Sequence, residues 1–137
     1  MALFTDTITL YNHLPDNTWQ RTVMSGVQYS ESVERIKTSD GKITRSAVVN
    51  VTIPETVECD RKYVSCREFK RMEDVSESWT LDPADNLDII ILGEVEQEVT
   101  ANYRLKNLKA DYDCVTVVSV SDGRNRDLLK NIKVVCK

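Results

Sequence analysis

The sequence predicts a mainly β protein, an antiparallel β-barrel or sandwich of about seven strands with one or two short helices and a long protruding loop. Three observations predict this class. Short segments alternate apolar and polar residues, turn-forming residues separate them, and strands do not alternate regularly with helices. Strands joined by short turns must pair antiparallel, and closing the sheet hides its edges.

The first two segments predict a hairpin. In residues 6–12, threonine and tyrosine alternate with isoleucine and leucine, which is the pattern of a half-buried strand. Residues 19–29 alternate again, and Gly26 lies where a β-bulge would exchange the two faces of the strand. Between the two segments, residues 15–17 (Pro-Asp-Asn) provide the chemistry of a turn.

Residues 30–45 are polar and carry charges of both signs. Two interpretations remain open for this segment. It is either a long mobile loop, or two strand extensions that meet at a turn containing Asp40 and Gly41. In both cases we expect it to project from the core, because it has little apolar surface to bury.

The middle of the chain contains two further elements. Residues 47–53 are rich in β-branched side chains and predict a strand that ends at Pro54. Residues 65–68 (Ser-Cys-Arg-Glu) match a capping box, which predicts the start of a short helix. Phe69 and Met72 would share one face of that helix.

The second half of the chain contains the clearest strand signals. Residues 79–81 predict a short strand, and residues 88–93, the most apolar run, predict the central strand. The pattern of residues 99–109 is typical of a short amphipathic helix. Two alternating segments, residues 113–121 and 128–136, predict a hairpin.

Length and composition predict one domain over residues 1–137, because 41% of the residues are hydrophobic and 29% are charged. No apolar run approaches the roughly 20 residues that a membrane-spanning helix needs. The N-terminus lacks a basic region followed by an apolar one. We therefore expect neither a secretory signal nor a membrane span.

The residue types of common catalytic chemistries are scarce. His13 is the only histidine, and no G-x-S-x-G motif accompanies it. The four glycines are isolated from one another, which does not fit a phosphate-binding loop. We predict no enzymatic activity, no cofactor and no metal. Four cysteines have spacings that do not fit a zinc site, and we expect them to be reduced structural thiols: Cys59, Cys66, Cys114 and Cys136.

Charge is distributed unevenly along the chain. The net charge of −4 argues against a general nucleic-acid binder. Residues 73–98 contain nine acidic and no basic residues, whereas residues 99–137 contain eight basic and four acidic residues. The two regions therefore carry opposite charge.

Several short motifs cover most of the chain in a recognisable order. They are residues 7–12 (Thr-Ile-Thr-Leu-Tyr-Asn), 19–23 (Trp-Gln-Arg-Thr-Val), 26–27 (Gly-Val), 51–54 (Val-Thr-Ile-Pro), 63–65 (Tyr-Val-Ser), 68–69 (Glu-Phe), 79–81 (Trp-Thr-Leu), 88–90 (Asp-Ile-Ile) and Gly93. In these motifs the chain resembles an uncharacterised family of small proteins from phages and prophages of Gram-positive bacteria. It departs from that family in the charged residues at 30–45 and in a shorter tail after Gly123.

The layout is also similar to that of head-closure proteins (stoppers or adaptors) of long-tailed phages, which are small β-barrels with a long protruding loop. This resemblance implies a structural ring subunit in the neck of a virion, made in the cytoplasm of a bacterial host. Its partners would be further copies of itself, portal or adaptor proteins and tail proteins, while DNA passes through without sequence-specific binding and no membrane is involved. Three alternatives remain: a tail-terminator ring subunit, a soluble interaction module unrelated to virions, and a small hydrolase using acidic residues.

The resemblance implies three candidate surfaces. A channel through which DNA slides should not grip it, so acidic residues are candidates for the lumen: Asp82, Asp85, Asp88, Glu94 and Glu96. The protruding arm offers contacts to a neighbour: Glu34, Arg35, Lys37, Asp40 and Lys42. Basic residues are candidates for contact with an acidic face of the next subunit: Arg104, Lys106, Lys109, Arg124 and Arg126.

Overall fold

The described part of the chain is built mainly from β-strands. The computed structural model describes residues 5–14, 18–37, 39–54, 57–83, 88–123 and 131–137, apart from the side chains of residues 34–36, 44–46 and 122. Over these residues the chain forms eight strands and two helices. In order they are β1 (Asp6–His13), β2 (Trp19–Lys37), β3 (Ile43–Pro54), β4 (Lys62–Tyr63), α1 (Cys66–Phe69), β5 (Ser78–Trp79), β6 (Ile89–Leu92), α2 (Leu105–Asp111), β7 (Cys114–Asp122) and β8 (Asn131–Cys136).

Six of the described strands close into an antiparallel barrel, in the order β1-β2-β3-β8-β7-β6. The closing ladder between β6 and β1 pairs Ile8 with Leu92 and Tyr11 with Ile89. The hairpins predicted at the two ends of the chain are confirmed as the β1–β2 and β7–β8 pairs, with residues 128–130 outside the description. The mainly β class is confirmed, and the barrel is the correct one of its two alternatives.

The predicted bulge at Gly26 is confirmed. In the β1–β2 ladder Asp6 pairs with Val27 and Thr7 pairs with Ser25, so Gly26 is the extra residue. Its φ of 87° lies in the left-handed region that favours glycine. The extra residue changes which positions face inward, and Met24 and Val27, three residues apart, are both fully buried.

The segment 30–45 is a hairpin and not a loop. Strands β2 and β3 pair continuously from Gln28 with Thr52 to Lys37 with Ile43. At the tip, the backbone N–H of Lys42 donates to a carboxylate oxygen of Asp40 at 3.2 Å, which stabilises the turn. The second of the two interpretations, strand extensions that meet at a turn, is therefore confirmed.

The barrel interior holds the larger of two hydrophobic clusters. Trp79 and Leu81, which follow the segment containing α1, are almost fully buried in it. The smaller cluster lies under α2, where Leu108 packs with Tyr11 and Ile89. Burying one large apolar side chain stabilises a fold by about 1.5–3 kcal/mol, so these clusters are the main source of stability.

Strands β4 and β5 form a separate parallel pair, which departs from the antiparallel expectation. Lys62 pairs with Ser78 and Tyr63 with Trp79. The connection between them contains α1 and is long enough to return the chain in the same direction. Of the capping box predicted for α1, the structure shows the serine half, in which the Ser65 hydroxyl accepts the N–H of Glu68 at 3.3 Å.

The helix predicted over residues 99–109 begins later than expected, at Leu105. Residues 99–104 are not helical, because the Thr100 hydroxyl accepts the backbone N–H of Tyr103 at 3.2 Å and holds the chain in a turn. Such local hydrogen bonds compete with the helix. The helix starts where the Asn107 side chain accepts the N–H of Arg104.

Candidate interaction surfaces

The part of the β2–β3 hairpin that lies beyond the barrel is here called the arm (residues 30–48). Strand β1 accompanies β2 only as far as Val27, and β8 accompanies β3 only from Val49. Among the described residues, the two arm strands therefore pair with each other and with no third strand. Each has an edge on which backbone groups face outward, which makes the arm suited to contact another chain.

The arm exposes apolar side chains as well as charges. The side chains of Val33 and Ile43 are 60% and 62% exposed, the two highest values among the described large hydrophobic residues. Strand residues that pair directly share a face, so Val33 lies with its partner Ala47, and Ile43 lies with its partner Lys37. One face of the arm thus combines apolar and basic side chains.

Three of the five residues predicted as arm contacts have described side chains. Lys37, Asp40 and Lys42 are exposed on the arm, as a contact surface requires. The backbone of Glu34 and Arg35 pairs with Ser46 and Arg45, and the side chains at these positions are outside the description. Sequence analysis did not include Val33 and Ile43 among the contact residues of the arm. Their position in an otherwise polar, charged segment is the signal that could have identified them.

A groove of about 390 Å³ lies beside the base of the arm. Its apolar floor includes Leu92, at the end of β6, and Tyr112, directly after α2, which are 52% and 39% exposed. Three acidic residues line the same groove: Glu31, Asp111 and Asp113. The groove is therefore lined by both apolar and acidic side chains, a combination that sequence analysis did not predict.

One of these carboxylates has a fixed orientation. The Tyr103 hydroxyl donates to Asp111 at 2.6 Å. This hydrogen bond to a carboxylate raises the pKa of Tyr103 to about 12, so the tyrosine stays protonated and continues to donate. Tyr112 is held nearby, because its backbone N–H donates to the carbonyl oxygen of Leu108 at 2.9 Å.

The five acidic residues predicted to line a lumen do not form one surface. Glu94 and Glu96 are exposed, on the segment that follows β6. Asp82 is only partly exposed, and its carboxylate forms an ion pair with Lys70 at 3.1 Å. Asp85 lies outside the described residues. Of the described four, Glu94 and Glu96 thus meet the requirement for a solvent-facing acidic surface most fully.

The prediction that Asp88 faces a lumen is wrong. Its residue surface is only 3% exposed, and its carboxylate accepts the backbone N–H groups of His13 at 3.1 Å and Asp82 at 2.6 Å. Burial raises the pKa of Asp88 to about 6, although these hydrogen bonds act in the opposite direction. Asp88 therefore connects the end of β1 to the segment before β6.

Three of the five basic residues predicted to contact a neighbouring subunit lie in the described part of the chain, and all three are exposed. Arg104, Lys106 and Lys109 are solvent-exposed on and beside α2, while Leu108 of the same helix is buried. Arg124 and Arg126 lie outside the described residues. Arg104 also lines a second groove of about 480 Å³ with Trp19 and Val99.

The four cysteines are free thiols, and burial makes three of them less acidic. Burial raises the pKa of Cys136 to about 12, and it also raises the pKa of Cys59 and Cys114. A raised pKa disfavours the thiolate, which is the reactive form.

His13 contacts Trp19 with ring centroids 4.7 Å apart. Over the described residues, no group of three or more His, Cys, Asp or Glu side chains could hold a metal ion.

Taken together, these features define a closed β-barrel with a projecting β-hairpin arm and an acidic apolar groove at the base of that arm. The chain belongs to a family of unknown function, DUF6751, whose model matches residues 3–137. No curated protein and no solved structure matches it. In the part of the chain that is described, neither helix has the length and apolar character needed to cross a bilayer.

Proposed function

We propose that the protein is a structural, non-enzymatic ring subunit of the head–tail connector of a phage or phage-like particle, of the head-closure type. The observation that carries the proposal is the arm, a two-stranded extension of the barrel wall that exposes Val33 and Ile43. The resemblance of several short motifs to a family of phage and prophage proteins is consistent with the same class.

The arm fits a protein that works by contact with other subunits. A hairpin outside a barrel gains nothing from exposing large apolar side chains, and exposed strand edges promote association. Covering Val33 and Ile43 with a partner would remove this apolar surface from water. Such an arm is expected in a subunit whose final surroundings are other protein chains.

The distribution of charge fits a ring that surrounds DNA without binding it. Glu94 and Glu96 are exposed and lie in a stretch, residues 73–98, that contains no lysine or arginine. Negative side chains repel phosphate groups, which keeps a duplex mobile in a channel. In the proposed ring Glu94 and Glu96 face the channel, whereas the arm faces a neighbouring subunit.

The chemistry of the thiols supports a structural function. Cys136 is fully buried, and the raised pKa values of Cys59 and Cys114 disfavour a nucleophilic thiolate. The buried carboxylate of Asp88 is engaged by two backbone N–H groups and has a place in the structure of the barrel. The thiols and Asp88 thus lie in packed, hydrogen-bonded surroundings within the barrel.

The test is deletion of the gene from the phage or prophage that carries it. We expect DNA-filled heads that lose their genome and do not join tails, and we expect the protein in purified wild-type necks by mass spectrometry. Abnormally long tails would assign the protein to the terminator ring. Normal infectivity of the deletion, together with absence of the protein from particles, would contradict a virion function and favour the interaction module.

A further inference from the structure

Among the described side chains, the tip of the arm combines an exposed apolar residue with two lysines and one aspartate, Asp40, so that its net charge is positive. Ile43 is 62% exposed at the start of β3. Lys42 precedes it in the chain, and Lys37 is its partner across the ladder. Both lysines are exposed. The tip therefore presents an exposed apolar side chain with a lysine next to it on each strand.

The groove at the base of the arm has the opposite character. Leu92 and Tyr112 are exposed apolar residues in its lining, and Glu31, Asp111 and Asp113 add negative charge to the same lining. Apolar centres with charged surroundings are the usual anatomy of protein interfaces. The groove and the arm tip are complementary in both properties, because apolar surface meets apolar surface and lysines meet carboxylates.

We infer that the arm tip of one copy of this chain docks in the acidic groove of a second copy, with Ile43 against Leu92 and Tyr112. This inference deepens the proposed ring function and rests on it, since it names the contact that would join neighbouring subunits. Lys37 and Lys42 would lie near Glu31, Asp111 and Asp113 of the second copy.

The geometry of the ladder keeps the arm tip out of the groove of its own chain. Glu31 lines the groove and also belongs to the base of the arm. Lys37 lies six residues further along the same strand, about 20 Å away at 3.3 Å per residue. While the ladder is intact, the tip cannot reach the groove of its own chain.

The proposed contact is heterologous, because two different surfaces meet. Contacts of this kind repeat from copy to copy and produce a ring when the rotation between neighbours closes. Each copy would use its arm on one side and its groove on the other. A symmetric dimer, in which the same surface meets itself, does not have this property.

The experiment compares two single variants of the full chain. Ile43→Glu places a carboxylate on the arm tip, and Leu92→Lys places a positive charge in the groove. A third variant, Met72→Glu, is the matched control, because Met72 is 37% exposed in the turn after α1, outside both surfaces. Light scattering and sedimentation would follow association from about 1 µM to about 1 mM, the range in which weak contacts become half occupied.

We expect the wild type and Met72→Glu to associate, and each single variant to weaken association at least tenfold. A mixture of Ile43→Glu with Leu92→Lys retains one intact arm and one intact groove. It should form one-to-one complexes, which neither variant forms alone. This restoration in a mixture distinguishes a heterologous contact from a general loss of stability.

A second pair tests the charges if either first variant does not fold. Lys37→Glu and Asp113→Lys should each weaken association, and their mixture should restore it. No association of the wild type up to about 1 mM, or unchanged association in the folded variants, would overturn the inference. Those results would leave the proposed ring function to be decided by the deletion phenotype, which does not depend on this contact.

Discussion

Asn12 and Thr80 form two hydrogen bonds with each other in the interior of the protein. The Asn12 side-chain amide donates to the carbonyl oxygen of Thr80 at 2.6 Å, and the backbone N–H of Thr80 donates to the Asn12 side-chain oxygen at 3.4 Å. Both residues are buried. A side chain at the end of β1 thus satisfies the backbone of Thr80, which belongs to none of the ladders formed by the described residues.

Replacement of Asn12 by leucine should lower the free energy of unfolding by about 2–4 kcal/mol, because the N–H and carbonyl groups of Thr80 would remain buried without partners. Urea unfolding monitored by circular dichroism measures this change. Asn50→Leu is the control, since Asn50 is exposed on β3 and its replacement should change stability by less than about 0.5 kcal/mol. Equal effects of the two substitutions would contradict the assigned importance of the Asn12–Thr80 pair.

Stability should depend on pH through Asp88. Burial raises the pKa of Asp88 to about 6 from an ordinary value of 3.8. Below about pH 4 the carboxyl is protonated in both the native and the unfolded state, and between about pH 4 and pH 6 the native state retains the proton longer. The contribution of Asp88 to stability is therefore fully present at low pH and is lost as the pH rises through about 6.

Asp88→Asn removes this titration. The difference between about 6 and 3.8 corresponds to at most about 3 kcal/mol. Urea unfolding of wild type and variant from about pH 4 to pH 7 should give a stability difference that shifts in favour of the variant as the pH rises. An amide accepts less well than a carboxylate, which adds an offset that does not depend on pH. A difference that stays constant over this range would contradict the assignment.

Gly93 should resist replacement for conformational reasons alone. Its φ is 99°, and a Cβ added there would meet nothing within 4 Å. Gly93→Val should therefore lower the free energy of unfolding by about 1–2 kcal/mol through backbone strain. Gly93→Asn is the matched control and should cost less, because asparagine tolerates the left-handed region. Thermal unfolding of both variants would show a larger loss for valine, and the reverse order would exclude this explanation.

Cys136 should be the most protected thiol of the native protein. It is fully buried at the end of β8, and burial raises its pKa to about 12. Alkylation with iodoacetamide at about pH 8 should label Cys136 only after addition of urea. Cys66, which is partly exposed, serves as the internal reference and should react first. Rapid labelling of Cys136 in the native protein would show that the barrel opens at the end of β8.

Reversal of charge at Glu94 and Glu96 tests the proposed channel. In a particle, the double variant Glu94→Lys, Glu96→Lys should slow genome ejection without preventing assembly, because lysines bind the passing phosphates. Glu68→Lys is the control, since it adds the same type of charge on the exposed side of α1. Ejection triggered in vitro can be followed by a DNA-binding dye. Equal ejection rates for the double variant and the wild type would place these residues outside the channel.

Features that depend on neighbours in the chain could be predicted from the sequence. The alternation in residues 6–12 has the period of a strand, and an isolated glycine such as Gly26 is a local signal for a bulge. The turn at Asp40 and Gly41 was recognised for the same reason, although its alternative, a mobile loop, could be dismissed only from the observed ladder. The start of α2 was missed because a single hydroxyl, that of Thr100, competes with the helix.

Features that depend on strand order could not be predicted. The groove brings together Glu31, Leu92 and Asp113, which are far apart in the sequence and become neighbours only when the barrel closes. The burial of Asp88 has the same origin, because the carboxylate accepts a hydrogen bond from His13, which lies in β1, 75 residues earlier in the sequence. The acidic composition of residues 73–98 therefore places Asp88 and Glu94 in one group, although Asp88 is buried and Glu94 is exposed to solvent.

Strand β2 runs without interruption from Trp19 in the barrel wall to Lys37 at the tip of the arm. A pull on the tip along the strand is therefore transmitted directly into the ladder with β1, where it acts parallel to the strands and several hydrogen bonds must break at once. A pull that separates β2 from β3 meets those bonds one after another. The same hairpin is thus mechanically strong along its length and weak against peeling, and in the proposed ring this asymmetry would favour loads that act along the arm.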